Sequence, residues 1–103
     1  MIDNGCNVAL ASDFNPGSCT IQSMPIIISL ACLYCGLNIE EAFIASTWNG
    51  ARSIEREKII GAIDVGYQAD LLFVNLDSIV ELPYWIGSDR ILNIMKKGEL
   101  LDI

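Results

Sequence analysis

The first half of the chain contains one short strand of a type that cannot stand alone. The run Val8–Ala11 is continuously apolar, and it is bounded by the turn residues Asn4-Gly5 and Asn15-Pro16-Gly17. A bounded apolar run of this length is typical of a parallel strand buried on both faces. Such a strand needs neighbouring strands on each side and helices above and below it. We therefore interpret residues 1–57 as the last strand–helix unit of a larger α/β body.

The charges are spread unevenly over the 103 residues. The chain has 6 Lys and Arg against 13 Asp and Glu, which gives a net charge of −7, and residues 1–51 contain no base at all. A half that is nearly free of charge and rich in apolar residues is normally covered by other protein. The excess of acids argues against nucleic acid or an anionic membrane surface as a partner.

Length and composition exclude two kinds of self-sufficient enzyme. A complete eight-stranded α/β barrel needs about 250 residues. A chain with no His cannot complete a mechanism that uses imidazole as base, metal ligand or triad member. The N-terminus lacks a basic segment followed by an apolar run, so we expect no signal peptide. We expect free, buried thiols of a cytosolic protein at the cysteines, which are Cys6, Cys19, Cys32 and Cys35.

Two helices are predicted after the strand. The first begins after Ser23, contains the longest apolar run of the chain and stops at Gly36. That run is too short to cross a bilayer, which takes about 20 residues, so we predict a buried helix. The second begins at Asn38, has Glu41 at the capping-box spacing, and continues to about Arg52.

The pattern changes after a short charged junction at residues 52–58. Leu71–Val74 and the apolar residues of 91–95 predict two strands, and Lys97-Gly98 predicts a turn into Leu100-Leu101. We predict that the short apolar pairs around Gly61 also belong to this run of strands. We predict that residues 58–103 form three to four strands of a small sheet and that 1–57 and 58–103 are separate parts.

Asp13 is the first candidate for chemistry because it follows the predicted buried strand. Ligands and catalytic groups collect at the carboxyl ends of strands in α/β folds. A carboxylate there can ligate a metal or take a proton from a metal-bound water. An Asp before Phe14-Asn15-Pro16-Gly17 is also typical of a turn that is stabilised by its own side chain. Both interpretations remain open from the spacing alone.

Four segments in order resemble imidazolonepropionases, which are metal-dependent amidohydrolases of histidine degradation. The segment Ala11-Ser12-Asp13-Phe14-Asn15-Pro16-Gly17-Ser18, followed by Ser23-Met24-Pro25, is similar to the last barrel strand and loop of that family. The stretch Glu40–Ala51 resembles its following helix, and Gly61–Leu71 resembles a strand-turn-strand found throughout amidohydrolases. The segment Glu81-Leu82-Pro83-Tyr84 resembles one near the family's C-terminus. The resemblance covers nearly the whole chain.

The resemblance implies the last strand and helices of a (β/α)8 barrel in 1–57, and C-terminal strands of a small composite β domain in 58–103. It implies hydrolysis of 4-imidazolone-5-propanoate to N-formimidoyl-L-glutamate with Zn or Fe, in a cytoplasmic homo-oligomer. Asp13 is then the metal ligand that also shuttles a proton. Asn15, Gly17 and Ser18 are then substrate-binding residues.

The other metal ligands of the family are upstream histidines, and this chain has no His. One carboxylate cannot make a catalytic metal site, which takes about three protein ligands. We therefore expect the chain to be a C-terminal fragment that is inactive alone. Two alternatives are a non-catalytic interaction module derived from an amidohydrolase, and an amidohydrolase of different cyclic amide specificity.

Overall fold

The computed structural model describes residues 1–102, which form short helices around one small sheet. In chain order the elements are a 3₁₀ helix at Ile2–Asn4, α1 (Met24–Tyr34), α2 (Ile39–Ser46), α3 (Trp48–Ser53), β1 (Leu71–Val74), a 3₁₀ helix at Ile79–Trp85, β2 (Ile91–Lys96) and β3 (Glu99–Leu100). The sheet is antiparallel with the order β1-β2-β3. The expected mixture of helix and strand is confirmed, whereas a place in a barrel stays a prediction. In the described residues no helix has the length and hydropathy of a membrane span.

The predicted strand at Val8–Ala11 is wrong for this structure, because the segment is irregular. The Leu10 N–H donates to the Ala45 carbonyl at 3.0 Å, and Asn49 Nδ2 donates to the Val8 carbonyl at 2.9 Å. The physical reason is that a strand exists only through its ladder of neighbours. With no strand beside it in the described chain, the segment satisfies its backbone against α2 and α3.

The start and end of α1 and the start of α2 follow the predicted signals. Ser23 is the N-cap of α1 with Pro25 in the first turn, and Gly36 follows its end at φ +75°. Asn38 and Glu41 make both bonds of a capping box: Asn38 Oδ1 accepts from the Glu41 N–H at 2.8 Å, and Glu41 Oε1 accepts from the Asn38 N–H at 3.0 Å. Such a cap contributes about 1 kcal/mol to helix stability.

The second predicted helix is interrupted at Thr47, where the backbone leaves helical geometry at φ −112° and ψ −82°. The chain resumes as α3, whose buried Ala51 faces Gly61. Gly61 sits at φ +94°, and a Cβ built on it would lie 2.8 Å from Ala51 Cβ and 2.9 Å from the Thr47 carbonyl oxygen. The segment around Gly61, predicted to contribute strands, is therefore a turn packed directly on α3.

Two strands of the sheet form where the sequence pattern predicted them. β1 pairs with β2, with a register shift between Phe73 and Val74, and β2 pairs with β3. Lys97 and Gly98 have φ of +51° and +83°, so the predicted turn is a two-residue hairpin loop of type I′. The 3₁₀ helix at Ile79–Trp85 was not predicted, although Ser78 and Glu81 have capping-box spacing.

The core is small and lies between α1, α2 and the 3₁₀ helix at Ile79–Trp85. Its buried members are Ile28, Ala31, Ala42 and Leu82. Many large apolar side chains stay exposed, and they include Phe14, Leu33, Tyr34, Leu72, Phe73, Leu92 and Leu100. Exposed apolar surface of this extent is typical of interaction surfaces.

The cysteines are less buried than predicted. All four are free thiols, but Cys6 and Cys35 are exposed, and Cys19 and Cys32 are half-buried. Burial raises the pKa of the Cys32 thiol. The prediction of buried thiols fails because the core takes its apolar volume from Ile, Leu and Ala side chains, leaving Cys35 beyond the end of α1.

Candidate functional site

Asp13 is an exposed residue in a left-handed backbone conformation, with φ +53°. L-residues other than Gly rarely adopt this conformation, which costs roughly 1–2 kcal/mol, and Asp and Asn tolerate it best. Its carboxylate makes no hydrogen bond within the described residues. The predicted place of Asp13 at the carboxyl end of a strand is wrong for this structure, because the segment that precedes it is irregular.

Asn15 organises the loop that follows Asp13. Its Oδ1 accepts three hydrogen bonds, from the Gly17 N–H at 2.9 Å, the Ser18 N–H at 2.8 Å and Ser18 Oγ at 3.2 Å. Its Nδ2 donates to the Asp13 carbonyl at 2.7 Å. The four predicted site residues are therefore joined in one network, with the Asn15 amide at its centre.

Gly17 lies directly against that amide. A Cβ built on Gly17 would lie 3.3 Å from Asn15 Oδ1, closer than most ordinary contacts of a Cβ atom. A side chain at Gly17 would therefore crowd the Asn15 amide, whose Oδ1 accepts a hydrogen bond from the Gly17 N–H. The Ser18 hydroxyl donates a hydrogen bond to the same oxygen, so its lone pairs remain available to other donors.

Two residues that sequence reasoning missed close the base of the loop. The Asn15 N–H donates to the Cys19 carbonyl at 2.8 Å, and Cys19 Sγ donates to the Ser12 carbonyl at 3.1 Å. Ser12 Oγ in turn accepts from the Phe14 N–H at 3.3 Å. The Asn-Pro-Gly spacing predicts the turn, but no sequence pattern predicts that a thiol seven residues from Ser12 ties its two ends together.

The described residues do not bring together a complete metal site. Within residues 1–102 there is no group of three His, Cys, Asp or Glu side chains that could hold a metal ion. A catalytic metal site takes about three protein ligands. The exposed, unpaired carboxylate of Asp13 fits one position in such a set, and the remaining ligands have no candidates near it in the described part of the chain.

A cavity of about 650 Å³ lies elsewhere, between α1, β1 and residues 85–91. The Arg90 guanidinium stacks on the Trp85 ring at 3.5 Å, and Tyr84 meets Trp85 edge-on at 5.0 Å. Trp85 therefore packs against its neighbours, while the Tyr84 ring is largely exposed. The loop from Asp13 to Ser18 does not line this cavity, so the cavity is not the predicted site.

Asp70 is the structural residue that its position before β1 predicts. Its Oδ2 lies 2.8 Å from Lys96 Nζ and 2.7 Å from Gln68 Nε2, and its Oδ1 accepts from the Lys97 N–H at 2.9 Å. The hydrogen bonds from the Lys96 side chain and the Lys97 backbone lower the pKa of Asp70 to about 2. Asp70 thus joins the start of β1 to the β2–β3 turn.

This lowered pKa predicts a pH dependence of stability. The folded chain binds the Asp70 proton less readily than the unfolded chain, so the stabilisation is complete above the unfolded pKa of about 3.9. It is lost as the pH falls from about 4 towards 2. We expect the wild-type chain to have a larger free energy of unfolding than Asp70→Asn at pH 6, and this gap should narrow at pH 3. Urea unfolding of both chains at the two pH values measures it. A gap of equal size at both pH values would contradict the assigned hydrogen bonds.

Residues 1–101 match the model of the amidohydrolase family, so the chain belongs to that family. Members of this family are generally metal-dependent.

Individual members of the family show a more specific similarity. The chain is similar to the imidazolonepropionases of Bacteroides thetaiotaomicron (47% identical over the whole chain), Parabacteroides distasonis (48% over 97% of the chain) and Symbiobacterium thermophilum (43% over 98% of the chain). It covers 25%, 24% and 24% of these proteins, so it spans about a quarter of the length of the relatives it matches. The predicted resemblance is confirmed.

Proposed function

We propose that this chain is the C-terminal quarter of an enzyme that hydrolyses 4-imidazolone-5-propanoate to N-formimidoyl-L-glutamate. The observation that carries the proposal is an identity of 43–48% along nearly all of the chain to three imidazolonepropionases. In the overall reaction one water is added and one ring C–N bond is broken. We further propose a cytoplasmic homo-oligomer in which residues 1–57 complete a (β/α)8 barrel and residues 58–103 complete a small β domain.

Within that enzyme, Asp13 supplies one oxygen ligand to a metal, which is Zn or Fe. The free carboxylate at an exposed turn supports this role. When bound, the metal provides Lewis-acid activation of water. The remaining ligands come from outside this chain, because it contains no His.

Asn15, Gly17 and Ser18 are proposed to lie beside the propanoate part of the substrate. One hydrogen of the Asn15 Nδ2 group and the lone pairs of Ser18 Oγ are not used inside the loop described above. An amide N–H suits a carboxylate, and a hydroxyl oxygen suits a ring N–H. The absence of a Cβ at Gly17 keeps the loop backbone open to close approach.

The proposal is tested with a full-length chimera in which these 103 residues replace the matching quarter of the Bacteroides thetaiotaomicron imidazolonepropionase. We expect the folded, metal-loaded chimera to convert 4-imidazolone-5-propanoate to N-formimidoyl-L-glutamate, with the product identified by mass spectrometry. The relative without its matching quarter is the control, and it should be inactive. A folded, metal-loaded chimera that hydrolyses a different cyclic amide instead would assign the chain to another specificity.

One observation favours a second candidate, a non-catalytic interaction module. The sheet exposes apolar side chains at Leu72, Phe73, Leu92 and Leu100, which a binding partner could cover. Gel filtration of the isolated chain separates the two functions. A compact monomer favours the module, whereas aggregates or swapped dimers favour a part of a larger enzyme.

A further inference from the structure

The cavity between α1, β1 and residues 85–91 is lined by one positively charged side chain, that of Arg90. The other walls of this space of about 650 Å³ are mostly apolar, and they include Pro25, Ile26, Leu72, Leu82 and Ile86. A guanidinium group that is removed from water among apolar side chains costs free energy unless an opposite charge pairs with it. The charge of Arg90 therefore calls for an acidic partner.

No acidic side chain of the described residues is that partner. Within this part of the chain the one ion pair joins Lys96 to Asp70. Arg90 Nε has almost no contact with solvent and no hydrogen-bond partner in the same residues. The neighbouring acid, Asp89, instead accepts a hydrogen bond from the Ile91 N–H at 3.0 Å. The guanidinium group thus has a buried N–H that lacks an acceptor.

Arg90 is nevertheless held in place. Its guanidinium lies 3.5 Å from the centre of the Trp85 ring, and Tyr84 meets that ring edge-on at 5.0 Å. Its backbone is also fixed, because the Arg90 carbonyl accepts a hydrogen bond from the Asn75 N–H at 2.7 Å. A guanidinium that stacks on an aromatic ring keeps its N–H groups at the edge, where a carboxylate can accept two parallel hydrogen bonds.

We propose that this cavity is an interface in the complete enzyme, where an Asp or Glu side chain from outside these 103 residues pairs with Arg90. The inference rests on the proposed function, since it needs the chain to be part of a longer protein. The chain spans about a quarter of the length of its relatives, so the remaining three quarters of such a protein can supply the acid. A protein segment suits the cavity because it would also cover Leu72 and Ile86, which line the cavity and are exposed.

A carbodiimide cross-link in the chimera described above tests the pair without turnover. Carbodiimides join an amine to a carboxylate in contact with it, and Arg90→Lys places an amine where the guanidinium lies. We expect mass spectrometry to find position 90 linked to one Asp or Glu outside the 103 residues. The matched control is Arg56→Lys, since Arg56 is exposed and makes no ion pair in the described residues, and it should not link to that acid. No link from position 90, or a link only to an acid within the 103 residues, would overturn the inference.

Thermal unfolding of the chimera separates an ion pair from stacking. Arg90→Met should lower Tm by about 2 °C or more, because it leaves the acid without its partner. After the linked acid is replaced by its amide, the same substitution should lower Tm by less than half as much, because the two members of a pair do not act additively. Equal losses with and without the acid would show that Arg90 acts only by stacking on Trp85, which contradicts the inference.

If the Arg90→Lys chimera fails to fold, Ser88→Lys decides, because Ser88 is exposed and lines the same cavity. Its amine should link to an acid outside the 103 residues, and the absence of this link would reject the interface. The two proposals fail separately. A chimera that forms the cross-link but does not hydrolyse 4-imidazolone-5-propanoate rejects the proposed substrate and keeps the ion pair, whereas an active chimera without the link rejects only the ion pair.

Discussion

In the full-length chimera, Asp13→Asn is expected to lower kcat/KM for 4-imidazolone-5-propanoate by a factor of about 10² to 10⁴, the range for losing a positioned acid–base group. The carboxylate is exposed and has no hydrogen bond within the described residues, so its replacement removes the proposed ligand and proton acceptor without removing packing. Asn is the best replacement because it has the same shape and also tolerates the left-handed backbone at φ +53°. Steady-state kinetics, with circular dichroism to verify the fold, measure the effect.

The matched control is Asp77→Ala. Asp77 is also exposed in a loop, and in the described part of the chain its carboxylate accepts no hydrogen bond. This variant should keep the activity of the wild-type chimera. If Asp13→Asn also kept nearly full activity, Asp13 would be a turn residue only, and the assignment of a metal ligand to this loop would be wrong.

The largest effect on stability is expected from Gly61→Ala. The new Cβ would lie 2.8 Å from Ala51 Cβ and 2.9 Å from the Thr47 carbonyl oxygen, and the residue has φ +94°. Neither neighbour can move easily, because one is a buried helix residue and the other is backbone. Overpacking and left-handed strain together should lower the free energy of unfolding by about 2–4 kcal/mol. Urea unfolding followed by tryptophan fluorescence measures this, since Trp48 begins α3.

Gly66→Ala measures the backbone part of that cost, and the difference between the two variants gives the packing part. Gly66 has nearly the same backbone conformation, φ +89°, but no heavy atom lies within 4 Å of the Cβ position. It should lose only the backbone contribution, about 1–2 kcal/mol. Equal losses at Gly61 and Gly66 would show that the contact between the turn and α3 contributes nothing to stability.

Much of the local structure could be predicted from sequence because it depends on neighbours in the chain. The capping box of Asn38 and Glu41 lies within one helical turn, so its two hydrogen bonds are available wherever the helix forms. The Lys97-Gly98 hairpin likewise needs only its two flanking strands. The interruption at Thr47 has no such local signal, and the close approach of Gly61, fourteen residues away, to the Thr47 carbonyl is a tertiary contact.

The candidate site divides in the same way. The residues Asp13, Asn15, Gly17 and Ser18 were found from a motif, and the structure joins them in one network. Only the three-dimensional structure shows the hydrogen bond from Cys19 to the Ser12 carbonyl and the left-handed conformation of Asp13. The sequence identifies the polar groups of a loop, whereas the structure shows which of them are already hydrogen-bonded within it.

By itself, the sequence determined the family of the chain, the helix caps, the hairpin and the residues of the Asp13 loop, since all of these follow from local hydrogen bonding or from a motif. Only the tertiary structure decided that Val8–Ala11 is irregular and that Asn15 directs its amide at the Asp13 carbonyl. The physical reason is that a strand and a fixed side-chain amide both need partners to satisfy their polar groups. The arrangement of those partners in space is set by packing between distant segments.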